Sequence, residues 1–402
     1  MSQYESLLPD APSPEALRRV APLPSFDRAS LAFVEALSSA LMRMPEARVY
    51  PELTALAFWM RKSNLERLRT ELERRQGSAL LVPRGTVLHI APSNVDTIFV
   101  YSWFLSLLTG NRNIVRLSTK ASVQTDLLVG AISKLLHDPV HESIAQRTLL
   151  VRYAPDDQVT ARFSAACDVR AIWGGNATVE QIRKIPLSPT ASEVAFSNKY
   201  SLALIDVAAW HAADVRQKES WVDAFYNDAY WFDQMACSSP RLVLWVGNEA
   251  SARDAASDFW PRLEKRVAAK QERFADADYV NKLVVEDMMA VEAEVVVPTT
   301  ASNDLVRVWL DRPALHDQLH CGAGLFFEAA LPDLNALRPL LSRTVQTVSY
   351  AGFDQHTLRV FVAEVPLAGI DRIVPFGRAL DFAPVWDGFD LLRVFMREIT
   401  VT

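Results

Sequence analysis

The residues best equipped for covalent chemistry lie in the stretch Asp233 to Pro240, which reads DQMACSSP with Cys237 near its centre. A thiolate there could attack an acyl carbonyl and keep the acyl group activated as a thioester. The stretch is preceded by WVDAFYNDAYWF, whose Trp221, Phe225 and Phe232 recur at helical spacing and would line one apolar face. It is followed by RLVLWVG, which has the apolar, β-branched character of a buried strand. Cys237 is therefore expected at a helix-to-strand corner. A cysteine in such a corner is either a buried packing residue, the commoner fate of this residue type, or an accessible nucleophile. The small polar neighbours Ser238 and Ser239 favour the second.

Upstream, from Ala79, short apolar strands alternate with helical patterns. Strands are expected at 86–90, 114–117, 149–153 and 169–173, with helices at 95–108, 122–137, 156–166 and 178–184. Such a βαβ series predicts a parallel sheet with helices on its faces, which binds ligands beyond the carboxyl ends of its strands. Three strand exits carry polar chemistry: APSN ending at Asn94, RLSTK from Arg116 to Lys120, and WGGN with Gly174, Gly175 and Asn176. The glycine pair before a helix start either lets a pyrophosphate approach the backbone amides or makes an ordinary tight turn. No G-x-G-x-x-G or Walker A motif occurs, which argues against a conventional Rossmann fingerprint and a P-loop.

The 402 residues suffice for two domains with sizeable cores. No uncharged apolar run approaches the ~20 residues that span a bilayer, so a soluble protein is expected. The opening MSQYESLLPDAPSPEALRR lacks the succession of a secretory signal, and three widely spaced cysteines make no disulfide framework. Both point to the cytoplasm. A net charge of -6 with acids and bases well mixed leaves no basic stripe for nucleic acid. After a proline-rich arm to Pro24, helices are expected near 30–44 and 50–75. His316 and His320, four apart beside Cys321, could share a helix face, but no second cluster completes a metal site and none is expected. His89, inside a strand, reads as a satisfied core histidine rather than a base.

Taken in order, PRGTVLHIAPSNVDTIFVYSWFLSLLTGNRNIVRLSTKAS, WGGNATVEQIRKIPL, DQMACSSPR, RTVQTVSYAG and GIDRIVPFGRALDFAPVWDG resemble the aldehyde dehydrogenase superfamily, and more closely its acyl-CoA reductase (LuxC) branch. The resemblance runs from about Leu81 to the C-terminus. It implies an α/β fold, aldehyde-dehydrogenase-like, with a parallel-sheet nucleotide-binding domain plus an α/β catalytic domain. The expected parts are an N-terminal helical segment (1–78), the nucleotide-binding domain (79–205), the catalytic domain (206–367) and a C-terminal return with an oligomerisation strand (368–402).

By the same resemblance, Cys237 matches the nucleophile, and Asn94 the side chain that holds the developing oxyanion with the Cys237 amide. Arg116, with Lys120 four residues on, matches the adenosine ribose contact. Gly174, Gly175 and Asn176 match the turn under the pyrophosphate, and Glu328 the nicotinamide ribose contact, unless it is a surface acid. Glu193 is two places out of register with the superfamily's hydrolytic glutamate, a departure that favours reduction over oxidation. The implied activity is NADPH-dependent reduction, NADH being less favoured, of a fatty acyl thioester to the aldehyde through an acyl-cysteine. Acyl-CoA or an acylated protein would be the donor, an acyl-protein synthetase a partner, and the protein a homo-oligomer. A noncatalytic subunit of an acyl-processing complex, or an aldehyde oxidant, are the alternatives. The rings Trp221, Phe225, Tyr226, Tyr230, Trp231 and Phe232 either line an acyl tunnel or are core.

Overall fold

The computed structural model describes residues 4–9, 11–77, 79–92, 95–270, 273–292, 295–296, 302–364 and 366–401. These form two compact units, Met1–Asn198 with Phe382–Thr402, and Lys199–Asp381. Among the described residues no helix is long and apolar enough to cross a membrane.

The first unit is built on the strands Glu5–Ser6 (β1), Leu80–Pro83 (β2), Thr86–Ile90 (β3), Arg112–Leu117 (β4), Thr148–Arg152 (β5), Val169–Trp173 (β6) and Ser192–Phe196 (β7). All but β2 form one sheet in the order β1-β5-β4-β3-β6-β7, parallel except where β1 runs against β5. The strands β3 and β6 are buried along their whole length, as expected where helices cover both faces. One such helix, Ile98–Leu108, is itself buried at every position, which explains its apolar character all round. The strand order turns back at β3, with β4 and β5 on one side and β6 and β7 on the other.

The sequence at 30–75 predicts two helices, and the structure has three: Arg28–Arg43, Pro51–Trp59 and Lys62–Gln76. The break follows from Asn64, whose Nδ2 donates to the Trp59 carbonyl at 2.5 Å and competes with the helical pattern. Helix Arg28–Arg43 packs on Ile98–Leu108 and Val123–Leu136, and 1–78 lies within this unit. The terminal strand Met396–Ile399 pairs antiparallel with β2 of the same chain.

The second unit contains Tyr200–Asp206 (β8), Pro240–Val246 (β9), Val295–Val296 (β10), Val306–Leu310 (β11), Leu325–Leu331 (β12), Val345–Ala351 (β13) and Arg372–Pro375 (β14), in the order β10-β11-β12-β9-β8-β13-β14. Its strands are parallel apart from β10. The boundary expected at 205 moves to 198, because β8 hydrogen-bonds to β9 and β13. The boundary expected at 367 also moves. The return strand β14 pairs with β13, and buried Asp228 accepts from the amides of Gly377 at 2.7 Å and Ala379 at 2.9 Å, which ties the segment through 381 to this unit. Around His316 and His320 there is one turn closed by Leu319 N–H on the His316 carbonyl at 3.3 Å, not a helix.

Candidate active site

The approach to Cys237 is strained. Phe232, Asp233 and Gln234 have φ of 56°, 50° and 61°, the left-handed region, which costs about 1–2 kcal/mol per non-glycine residue. Such a run persists only where its surroundings over-determine it. Here fully buried Gln234 does so: its Nε2 donates to the carbonyls of Pro240 and Leu325, both at 2.9 Å, and its Oε1 accepts from Gly324 N–H at 2.9 Å. The Asp233 carbonyl accepts from Ala323 N–H at 2.8 Å.

The turn delivers Cys237 to the amino end of β9, beside the starts of β8 and β13. Two irregularities in pairing meet there. Against Tyr200 to Leu202, β13 advances from Val345 to Val348, and against Ser201 to Leu202, β9 advances from Pro240 to Leu242. Gln346 and Thr347 therefore oppose the single Ser201 on one side, and Arg241 is the extra residue on the other, bulges of the kind that re-aim side chains beside functional sites. Ser201 Oγ donates to the Cys237 carbonyl at 2.7 Å and accepts from Thr347 N–H at 3.2 Å. Gln346 Nε2 donates to Cys237 Sγ at 3.4 Å, and Thr347 Oγ1 donates to Gln346 Oε1 at 3.4 Å. Burial pushes the Arg241 guanidinium below its ordinary range, opposed by Tyr200, Cys237 and Asp317.

Cys237 is partly exposed rather than buried, although Ser238 and Ser239 are themselves buried. The access comes from the turn and not from those serines. Burial pushes the Cys167 thiol up to about 12 and the Cys321 thiol up to about 11, which keeps both protonated at neutral pH. Gln346, Ser201 and Arg241 were not singled out from sequence. The first sat in plain view in RTVQTVSYAG, but nothing local ties it to a cysteine 109 positions away. Of the rings ahead of the nucleophile, Phe225, Tyr226 and Tyr230 belong to the core of this unit, with Phe225 packed edge-on against Phe259 at 5.3 Å. Trp231 and Phe232 remain partly exposed.

Glu328 requires a correction as well. It is fully buried: Oε1 pairs with Arg307 Nη2 at 2.6 Å and accepts from its Nε at 3.0 Å, while Oε2 accepts from the indole N–H groups of Trp245 at 3.0 Å and Trp260 at 2.7 Å. With both oxygens so engaged it is neither a surface acid nor open to a ribose, and it is a packing residue of the sheet.

In the first unit, the exits of β3 and β4 line a crevice formed by Ala91, Pro92, Val95, Asp96, Ser118 and Lys120 among others. Lys120 is exposed there, whereas Arg116 is half-buried, donates from Nη2 to the Tyr153 carbonyl at 3.1 Å and stands 5.3 Å from that ring. At the exit of β6, Gly175 is the N-cap of helix Asn176–Arg183 and makes no side-chain cap hydrogen bond. A Cβ on Gly174 would stand 3.1 Å from Thr178 Cγ2 and one on Gly175 3.2 Å from Asn198 Oδ1, while Asn176 Oδ1 accepts from Asn198 N–H at 3.2 Å. Asn94 lies outside the described residues. Glu193 accepts from Arg170 Nη2 at 2.5 Å and from Arg183 Nε at 2.9 Å, so it is occupied as an ion-pair partner. Among the described residues, no group of three or more His, Cys, Asp or Glu could hold a metal ion.

Two parallel sheets, one with an open crevice at its strand exits and the other with a cysteine at a strained turn, define an aldehyde-dehydrogenase-like fold. The lactaldehyde dehydrogenase structure superposes with a TM-score of 0.67 at 13% identity, covering 100% of this chain and 96% of that one. That of 1-pyrroline-5-carboxylate dehydrogenase from Thermus with bound NAD gives 0.67 at 13%, covering 96% and 83%. Glyceraldehyde-3-phosphate dehydrogenase from Methanocaldococcus jannaschii, complexed with NADP, gives 0.65 at 11%, covering 96% and 91%. The acyl-CoA reductase (LuxC) family model matches residues 61–398, and the chain belongs to that family. Among curated relatives it is similar to long-chain acyl-protein thioester reductases of Photorhabdus laumondii, 27% identical over 171 residues, and of Aliivibrio fischeri, 25% over 170. These alignments span 42% and 41% of this chain and 33% of each relative.

Proposed function

We propose that this chain reduces a fatty acyl thioester to the aldehyde by way of an acyl group carried on Cys237. The observation that carries the reading is the Cys237 turn, in which a clamped left-handed run holds a partly exposed cysteine at the amino ends of parallel strands. The Cys237 thiolate attacks the acyl carbonyl, the donor's carbon–sulfur bond breaks, and the donor leaves as a thiol after taking a proton from solvent. The enzyme thioester keeps the carbonyl activated at nearly equal energy. A bound nicotinamide cofactor supplies the hydride. The Cys237 amide holds the resulting alkoxide, an effect worth about 3–4 kcal/mol per donor. Collapse then breaks the bond to Sγ, releases the aldehyde and restores the thiolate.

The residues present fit such a cofactor. The cap-free start of Asn176–Arg183 offers amide N–H groups to a pyrophosphate. Lys120 in the crevice, with Arg116 behind it, supports NADPH over NADH. The engagement of Glu193 by two arginines leaves it unsuited to activating a hydrolytic water, which favours reduction over oxidation. The names of the curated relatives support an acylated protein as donor, and the family's description supports an acyl-CoA. A two-stranded ribbon of β2 and the terminal strand supports a homo-oligomer, since exposed edges invite pairing.

Intact-mass spectrometry after mixing with long-chain acyl-CoA, without nicotinamide, tests the reading. An acyl adduct on the wild type that is lost in Cys237→Ala is expected. An adduct that persists in the variant, or maps to Cys167 or Cys321, overturns it.

A further inference from the structure

We infer that Gln346 is a catalytic residue, whose carboxamide N–H stabilises Cys237 as the thiolate both before attack and when the aldehyde leaves. The inference rests on the proposed role of Cys237 and adds a residue to it. Gln346 is 3% exposed and its Nε2 stands 3.4 Å from Sγ. Its place is fixed from two sides. The bulge sets Gln346 and Thr347 together against Ser201, and the Thr347 hydroxyl on Oε1 leaves the amide nitrogen on the sulfur side. The same Thr347 is bonded through its amide to Ser201, which in turn holds the Cys237 carbonyl. Sulfur and donor are thus located by one short chain of hydrogen bonds.

The chemistry of an amide suits the task. A hydrogen bond to the charged form favours ionisation, and a neutral carboxamide gives no proton up, so it neither quenches the nucleophile nor locks it in an ion pair. The bond is strong to a thiolate and weak to the sulfur of a thioester. It therefore acts selectively where negative charge sits on Sγ: in the free enzyme, and as the carbon–sulfur bond of the thiohemiacetal breaks and its electron pair returns to sulfur. No proton passes through Gln346 in either step, and the hydride comes from the nicotinamide cofactor.

The test follows the pH dependence of Cys237 alkylation by iodoacetamide, read by peptide mapping so that Cys167 and Cys321 are counted separately, in the full chain. The wild-type midpoint is expected below the ordinary thiol value of about 8.5, and a midpoint at or above it overturns the inference without any variant. Gln346→Met, similar in shape but without a donor, is expected to raise the midpoint by about one to two pH units, slowing alkylation at neutral pH by about 10- to 100-fold. Gln346→Glu, which sets a negative charge beside sulfur, is expected to raise it further. Equal midpoints in wild type and a cooperatively melting Gln346→Met overturn the inference. Because alkylation needs no acyl donor or cofactor, an unshifted midpoint with a normal acyl adduct sinks Gln346 alone, whereas a shifted midpoint with no acyl adduct sinks the reductase reading alone.

Discussion

Ser201 Oγ donates to the backbone carbonyl of Cys237 at 2.7 Å, across 36 positions of sequence. The serine is 1% exposed and also accepts from Thr347 N–H, so it joins the starts of β8 and β13 to the nucleophile turn. Ser201→Ala leaves the Cys237 carbonyl and the buried Thr347 amide short of a partner, at a cost of about 1–3 kcal/mol. Chemical denaturation should report that loss, and single-turnover acylation of Cys237, followed by mass spectrometry, should slow in the protein that remains folded. Wild-type values in both would show that the link positions nothing.

The two cations at the exit of β4 should separate in a cofactor comparison. Lys120→Ala is expected to lower kcat/KM with NADPH by about tenfold or more, with little change for NADH, since contacts to a charged group are worth about 1.5–3 kcal/mol. Arg116→Ala should do less, because that guanidinium already serves the Tyr153 carbonyl and ring. Equal losses with both cofactors in Lys120→Ala would take Lys120 out of the phosphate contact.

Glu328→Gln tests the reassignment of that residue. It removes the charge by which buried Glu328 balances half-buried Arg307, and breaking a fully buried pair typically costs about 3–5 kcal/mol, an upper bound here. A clear drop in the denaturation midpoint is expected, with nicotinamide cofactor affinity of the folded fraction unchanged. Weaker cofactor binding at undiminished stability would return Glu328 to the cofactor site.

Two buried groups give stability opposite dependences on pH. His89 is fully buried, its Nδ1 2.7 Å from Ser102 Oγ and its Nε2 3.0 Å from Asn113 Oδ1, and desolvation lowers its pKa to about 4. Unfolded, it takes a proton near pH 6.5. Its contribution is therefore complete above about 6.5 and is lost as pH falls towards about 4. The slope reaches at most about 1.4 kcal/mol per pH unit. In His89→Gln that rise with pH should flatten. A variant curve parallel to the wild type across this window would mean that His89 is not buried neutral.

Asp228 works in the other direction. Desolvation raises its carboxyl to about 7, against the pull of the Gly377 and Ala379 amides, while an unfolded aspartate titrates near about 3.9. The folded protein binds the extra proton between those values, so this contribution is fully present below about 3.9 and is lost as pH rises through about 7. The stability of the wild type relative to Asp228→Asn should accordingly fall across that window and level off above it. A difference independent of pH would refute the raised carboxyl. Since His89 and Asp228 lie in different units, separate unfolding transitions would each carry one slope.

Much of the fold was legible because the signals that make it are local. The strands expected at 86–90 and 169–173 are observed with those bounds, since a run of apolar, β-branched residues between turn formers needs no distant partner to declare itself. His89 read as a satisfied core histidine, and its two hydrogen bonds bear that out. The corner that carries Cys237 was also visible, as a helical pattern meeting a strand pattern.

What tertiary structure decided depends on pairing between segments far apart in sequence. That β8 belongs with β9 and β13, that two bulges meet at Ser201, and that Gln346 reaches Cys237 all follow from strand register, which one chain's local pattern does not encode. Glu328 shows the same limit from the other side. An acid in an apolar run looks like a binding group or a surface residue until Arg307, Trp245 and Trp260, from three other elements, are found around its two oxygens. Local hydrophobic period determines which segments become strands and helices, whereas the partners of a buried charge or a nucleophilic sulfur are chosen only when those segments pack and every desolvated polar group must find its complement.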